Sequence, residues 1–171
     1  MHIQEELSER HVLSLMVTNE AGILARIAGL FTARGYNIDS LTVADITPDH
    51  NISRITIVTN GPPKVIDQII AQLDRLVPVH KVTDLTANGP FVERELALVK
   101  VTGTGEDRIE ALRLADVFRA KVVDTTIESF IFEITGTTDK IDNFVGLMRQ
   151  IGLVEVGRTG VVGLIRGKEP N

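Results

Sequence analysis

The chain has 171 residues, no cysteine and a net charge of −5 at pH 7. This length allows one medium domain or two small ones, and the lack of cysteine excludes disulfides, thiolate nucleophiles and Cys-ligated zinc. The acidic balance lacks the footprint of a nucleic-acid binder. Because no apolar run approaches the roughly 20 residues that span a bilayer and residues 1–10 lack a signal-peptide core, we expect a cytoplasmic protein with no membrane partner.

The first half of the chain predicts the order strand, helix, strand, strand, helix, strand. In the first helix, Ile23, Ile27 and Phe31 repeat with the 3.6-residue period, and Gly35 follows as the stop. The turn residues 48–51 separate the second and third strands. The predicted elements are 12–18, 22–34, 38–47, 52–60, 64–76 and 79–85.

The second half is a weaker copy of the same pattern after a linker at residues 87–90. Its elements are predicted at 96–102, 106–119, 122–126, 129–135, 140–151, 153–156 and 161–165. The fold class is therefore α+β, with two consecutive βαββαβ ferredoxin-like units. We place the domains at 11–86 and 91–167, and their open sheet edges lead us to expect at least a dimer.

The sequence contains no complete catalytic or cofactor motif. The four histidines lack metal-ligand spacing, and no G-x-S-x-G nucleophile motif occurs. Asp45, Asp49 and His50 flank a turn and are expected to be solvated. The glycines Gly103 and Gly105 lack the third glycine and the lysine of nucleotide loops. One Tyr and no Trp leave too few aromatics to stack RNA bases.

A small-molecule site is indicated where the first strand meets the first helix. Asn19 ends the strand and Gly22 opens the helix, whose free backbone N–H groups suit a carboxylate. The Asn amide can accept a hydrogen bond from an ammonium group and donate another. The same pattern also fits a plain turn. A stripe of small residues on this helix fits either packing within the chain or a symmetric helix contact between subunits. The small stripe consists of Gly22, Ala25, Gly29 and Ala33.

Several segments in order resemble the regulatory small subunit family of acetolactate synthase (acetohydroxyacid synthase), over about residues 11–167. In the first half these are Asn19-Glu20-Ala21-Gly22-Ile23-Leu24-Ala25-Arg26, Gly35-Tyr36-Asn37-Ile38-Asp39-Ser40-Leu41-Thr42-Val43 and Ile52-Ser53-Arg54-Ile55-Thr56-Ile57. In the second half they are Val92-Glu93-Arg94-Glu95-Leu96-Ala97-Leu98-Val99-Lys100-Val101, Gly136-Thr137-Thr138-Asp139-Lys140 and Arg158-Thr159-Gly160-Val161-Val162-Gly163-Leu164-Ile165-Arg166-Gly167.

The resemblance implies an ACT domain, an ACT-like second half and a role as a non-catalytic subunit. The implied partner is a catalytic large subunit that carries thiamine diphosphate, magnesium and FAD, and joins two pyruvates or pyruvate and 2-oxobutyrate. The small subunit would activate it and confer feedback inhibition by valine, bound between two ACT domains of a homodimer. The matching effector residues are Asn19, Gly22, Ile23, Leu24, Asn37 and Ile38. Ala21 stands where many other ACT domains have proline.

Two other functions remain possible interpretations of the sequence. A free-standing ACT-type amino-acid sensor would regulate another protein, such as a transcriptional regulator, without a thiamine-enzyme partner. An enzyme of the acylphosphatase type shares the order of elements, but it needs a phosphate loop with a positioned Arg and Asn, and the sequence offers no such loop.

Overall fold

The structure is a computed structural model that describes residues 7–171. It divides into two compact units. Of the described residues, the first unit contains 7–92 together with Val161–Asn171, and the second is Glu93–Gly160. Among the helices in residues 7–171, none is long and apolar enough to cross a membrane.

The first unit has the predicted order of elements. The bounds are β1 Glu9–Thr18, α1 Ile23–Ala33, β2 Ser40–Asp45, β3 Ile52–Gly61, α2 Pro63–Asp74 and β4 Val79–Asp84. The sheet is antiparallel with the strand order β2-β3-β1-β4, which places β2 and β4 at the edges. Helix α1 connects β1 to β2, and helix α2 connects β3 to β4.

The core of the first unit lies between the sheet and both helices. Alternate residues of β1, such as Leu13 and Leu15, face the helices because side chains along a strand alternate between its two faces. They meet Ile27 of α1 and Ile69 of α2, all fully buried. The helices begin where the sequence predicts because Pro63 presets the first turn of α2 and Gly22 precedes α1.

The second half of the chain repeats this architecture. The bounds are β5 Phe91–Thr102, α3 Gly105–Val117, β6 Lys121–Thr125, β7 Ser129–Gly136, α4 Thr138–Ile151, β8 Leu153–Arg158 and β9 Val162–Ile165. The strand order is β6-β7-β5-β8, and β9 also pairs with β5. The core of the second unit packs Phe132 against Phe144 with ring centroids 6.1 Å apart. The prediction of two βαββαβ units is confirmed, although β5 begins earlier than predicted.

The C-terminal segment differs from the predicted domain bounds of 11–86 and 91–167. The structure groups Val161–Asn171 with the first unit. Val161 is buried in a small apolar cluster with Val12, Val58 and Leu85, on the sheet face opposite α1 and α2. The side chain of Asn171 donates a hydrogen bond to Ser14 Oγ over 3.1 Å. Apolar burial on this second sheet face explains why the segment joins the first unit.

Candidate functional site

The start of α1 offers an open backbone surface. Gly22 is the N-cap, with a left-handed φ of 83° and no side-chain cap. The first N–H groups of a helix have no acceptor in the preceding turn, although that of Ile23 reaches Glu20 O at 3.4 Å. A Cβ added at Gly22 would meet nothing within 4 Å. The backbone angle therefore favours glycine here, and the space in front of the helix is free for a ligand.

Asn19 is held against the β2–β3 hairpin at this same end of the sheet. Its backbone N–H donates to Asn51 O at 2.8 Å. Its side-chain Nδ2 donates to Asp45 Oδ1 and to His50 O, both at 3.1 Å. The side chain therefore has a fixed position close to the start of α1, where the sequence places the candidate effector site.

The predicted apolar residues of the site have different surroundings. The side chain of Ile23 is 6% exposed and belongs to the core, so the backbone is the part of Ile23 that a ligand can reach. Leu24 is 40% exposed and free to line a pocket. Ile38 is half-buried and packs against the core. Of the three, Leu24 offers the largest accessible apolar surface.

Asn37 lies at the other end of the sheet from Asn19. Its carbonyl oxygen accepts a hydrogen bond from Thr59 Oγ1 at 2.7 Å, and its Nδ2 donates to Asp39 Oδ1 at 3.1 Å. Asn19 bonds to Asn51, so the two asparagines are separated by nearly the whole of β3, on the order of 25 Å at the usual rise per residue. The distance between the two asparagines is several times the length of a valine molecule.

The six predicted effector residues therefore form two separate groups in one chain. Asn19, Gly22, Ile23 and Leu24 lie at the start of α1, whereas Asn37 and Ile38 follow its end. The helix between the groups has 11 residues and is about 16 Å long. No single ligand of amino-acid size can touch both groups of the same chain.

The edge strand β2 is well shaped for pairing with another chain. Its register with β3 runs without interruption from Ser40 to Asp45. The edge strands β4, β6 and β8 each show a register shift in their pairing. Irregular pairing bends an edge and discourages strand addition. Among the described strands, β2 is thus the edge that best accepts a further strand.

The small stripe of α1 is not used in packing within the chain. Gly22, Ala25, Gly29 and Ala33 are all exposed. A Cβ added at Gly29 would meet nothing within 4 Å. The alternative in which the stripe fits a neighbouring element of the same chain therefore does not hold, and the stripe is available to another molecule.

Asp45 is the residue that sequence reasoning missed. Its carboxylate is exposed, as the sequence predicts, and its Oδ1 also accepts hydrogen bonds from Asn19 Nδ2 and Ser53 Oγ, the latter at 2.7 Å. The hydrogen bond from Ser53, and secondarily that from His50, lowers the pKa of Asp45. No local sequence signal links Asp45 to Asn19, because the two meet only through strand pairing. No cluster of three metal-ligating side chains occurs within residues 7–171.

Two βαββαβ units, one of which presents an open helix start beside a fixed asparagine, define an ACT-type regulatory protein. Residues 13–81 match the acetohydroxyacid synthase small subunit-like ACT domain, and residues 94–167 match the small subunit of acetolactate synthase. The chain belongs to the family of acetolactate synthase small subunits.

Relatives match over nearly the whole chain. The acetolactate synthase isozyme 3 small subunit of Escherichia coli is 46% identical over 159 residues, covering 92% of this chain and 96% of the relative. The small subunit of Aquifex aeolicus is 45% identical over 158 residues, covering 92% and 81%. The crystal structure of the small subunit from Thermotoga maritima aligns with a TM-score of 0.84 at 39% identity, covering 94% and 99%.

Proposed function

We propose that this regulatory small subunit binds the catalytic large subunit of acetolactate synthase, raises its activity and transmits feedback inhibition by valine. The observation that carries the proposal is the division of the effector residues into two groups at opposite ends of α1. A site composed of both groups requires two chains, as expected for an effector that acts through a dimer.

A two-fold pair through β2 would bring the two groups together. Antiparallel pairing of two β2 strands joins the two four-stranded sheets into one. The α1 helices then run antiparallel near the axis, with their exposed small stripes allowing close approach. In this arrangement the Asn19 end of one helix lies beside Asn37 of the partner subunit.

Valine would use backbone and side-chain groups of both chains. Its carboxylate would accept hydrogen bonds from N–H groups at the start of α1, where Gly22 leaves open space. Asn19 and Asn37 of the partner subunit would bind its ammonium group, and Leu24 with Ile38 of the partner subunit would cover the isopropyl group. One methylene in such a pocket changes affinity by only about 1–3 kcal/mol. Calorimetric titration with valine, leucine and isoleucine identifies the preferred effector.

The catalytic chemistry would belong to the partner. We propose that the large subunit carries thiamine diphosphate, magnesium and FAD, and that this chain holds no cofactor. Valine would bind the shared site and favour the dimer arrangement for which it has the higher affinity, because a ligand shifts an equilibrium only through such a difference. The large subunit would respond to that arrangement.

We expect the isolated chain to form no acetolactate from pyruvate, and we expect it to raise the activity of a matching large subunit when the two are mixed. The measurement is acetolactate formation with the cofactors present, for each protein alone and for the mixture. Thiamine-dependent turnover by the small subunit alone would contradict the proposal. A chain that binds valine but neither binds nor activates the large subunit would instead be a free-standing sensor.

Gly29→Arg is expected to weaken dimerisation and the valine response together. Gly29 lies in the exposed small stripe with open space around it, and arginine is a better helix former than glycine, so the fold should be retained. The matched control is Gly146→Arg, at an exposed position of α4 that is equally open. Sedimentation velocity with and without valine measures both effects. A folded, monomeric Gly29→Arg chain with parental valine affinity would refute the shared site.

A further inference from the structure

We propose that Asp45 is a positioning residue for the effector site, which it serves by fixing the side-chain amide of Asn19. In the resulting orientation Asn19 presents its oxygen, Oδ1, to the ammonium group of the bound amino acid. This inference rests on the proposed function and adds to it the direction in which the effector binds.

The orientation of the Asn19 amide is determined by its neighbours. Nδ2 lies 3.1 Å from Asp45 Oδ1 and 3.1 Å from His50 O, and both of these atoms are acceptors. A flipped amide would place Oδ1 against a carboxylate and a carbonyl oxygen, with no hydrogen between them. Both N–H bonds of the amide are therefore used, and Oδ1 has no donor among the residues that the structure describes.

Asp45 is itself held by the sheet. Its Oδ1 accepts from Ser53 Oγ at 2.7 Å, and its Oδ2 lies 3.1 Å from His50 Nδ1. Ser53 is buried in β3 directly opposite Asp45 in the strand register. Because these hydrogen bonds lower the pKa of Asp45, its carboxylate remains ionised and acts only as an acceptor at neutral pH. The amide of Asn19 is thus anchored to two strands.

This anchoring limits what Asn19 can bind. With both donor hydrogens used, Asn19 cannot donate to a carboxylate and can only accept from an ammonium group. The carboxylate of the effector is then left to the N–H groups at the start of α1. A side chain that is already ordered also loses less conformational entropy when the ligand arrives, so Asp45 increases affinity without touching the ligand.

The test is a double-mutant cycle on valine affinity, measured by calorimetry on the full chain. Asp45→Ala should weaken valine binding about 3- to 10-fold, the range expected for one hydrogen bond. In an Asn19→Ala background the same substitution should have no further effect, because Asp45 acts through Asn19. Asp45→Asn keeps an acceptor oxygen and should restore part of the affinity. The control is Asp49→Ala, in the turn that follows β2, because the side chain of Asp49 bonds to Asn51 and not to Asn19.

A second titration uses 3-methylbutanoate, which has the carboxylate and isopropyl group of valine but no ammonium group. The parent and Asp45→Ala should bind it equally, because the contact that Asp45 supports is missing. Parental valine affinity in Asp45→Ala, additive losses in the double variant, or an undiminished loss with 3-methylbutanoate would each overturn the inference while leaving the shared site intact. A parent chain that binds no branched-chain amino acid would instead refute the proposed function.

Discussion

Replacing Gly22 with aspartate is expected to abolish valine binding while the fold and the activation of the large subunit persist. The added side chain would enter the open space in front of α1, where the valine carboxylate is proposed to lie. Two like charges about 4 Å apart repel by about 4 kcal/mol at an effective dielectric constant near 20. Such a repulsion corresponds to a loss of affinity of roughly a thousandfold.

The fold should tolerate the change because nothing in the chain lies within 4 Å of the new Cβ. The remaining cost is the left-handed backbone angle of 83°, which is about 1–2 kcal/mol for an ordinary residue and is reduced for Asp. Gly22→Asn separates the effect of the added charge on valine binding from that of the added volume, because asparagine has a similar size to aspartate but no negative charge.

The matched control is Gly105→Asp. Gly105 also has a positive φ at the start of a helix with open space around it, but it lies in the second unit. Calorimetric titration with valine, together with inhibition of the reconstituted enzyme, distinguishes the variants. Gly22→Asp with parental valine affinity would show that the effector does not bind at the start of α1.

The secondary structure of this chain is largely predictable because its apolar residues follow clear periods. Ile23, Ile27 and Phe31 repeat at helical spacing, and all three are buried in the core of the first unit. The strands of the same unit alternate apolar and polar residues, and glycine or proline marks the ends of its helices. Only the element ends shift, because terminal hydrogen bonds depend on neighbouring strands that local patterns do not encode.

The assignment of the C-terminal segment was not predictable from local patterns. The sequence predicts a strand over residues 161–165 and places it in the second domain, 91–167. The structure instead places Val161 beside Val12 and Leu85, on a sheet face that a ferredoxin-like unit leaves uncovered. The residues against which a short strand packs are decided by long-range contacts, which the local sequence pattern does not encode.

The sequence indicates the candidate residues of the effector site, but not how they are arranged in space. The pattern of Asn19 and Gly22 identified an exposed helix start, and Gly22 has the positive φ that favours glycine. The separation of Asn19 from Asn37 depends on the antiparallel register of β1 with β3, which a sequence does not display. The same register brings Asp45 and Ser53 opposite each other and so creates the anchor for Asn19.

A mixed dimer of Asn19→Ala and Asn37→Ala chains is expected to recover a valine site that neither variant has alone. In the shared-site arrangement, each site takes Asn19 from one chain and Asn37 from the other. Each homodimer of a single variant then has two damaged sites, weakened by about 1.5–3 kcal/mol, or roughly 10- to 150-fold, for the lost hydrogen bond to a charged group. The mixed dimer has one site with both substitutions and one site with none.

The mixed dimer is obtained by co-expressing the two variants with different affinity tags and purifying on both tags in turn. Calorimetry should then give the parental valine affinity with about half the parental number of sites, because the two-fold axis creates two sites and only one is intact. A site contained within one chain predicts the opposite result, since each chain of the mixed dimer carries a substitution and no intact site remains.

The reciprocal control places both substitutions in one chain and pairs it with a parental chain. The shared-site arrangement then damages both sites once, so the parental affinity should disappear from this dimer. A site within one chain would leave the parental subunit intact and keep about half of the sites. The two mixed dimers contain the same substitutions and differ only in how these are divided between the chains. Parental affinity in the first mixed dimer and its loss in the second would therefore show that each site is shared between two chains. Because the substitutions are the same, an effect on folding cannot explain the difference.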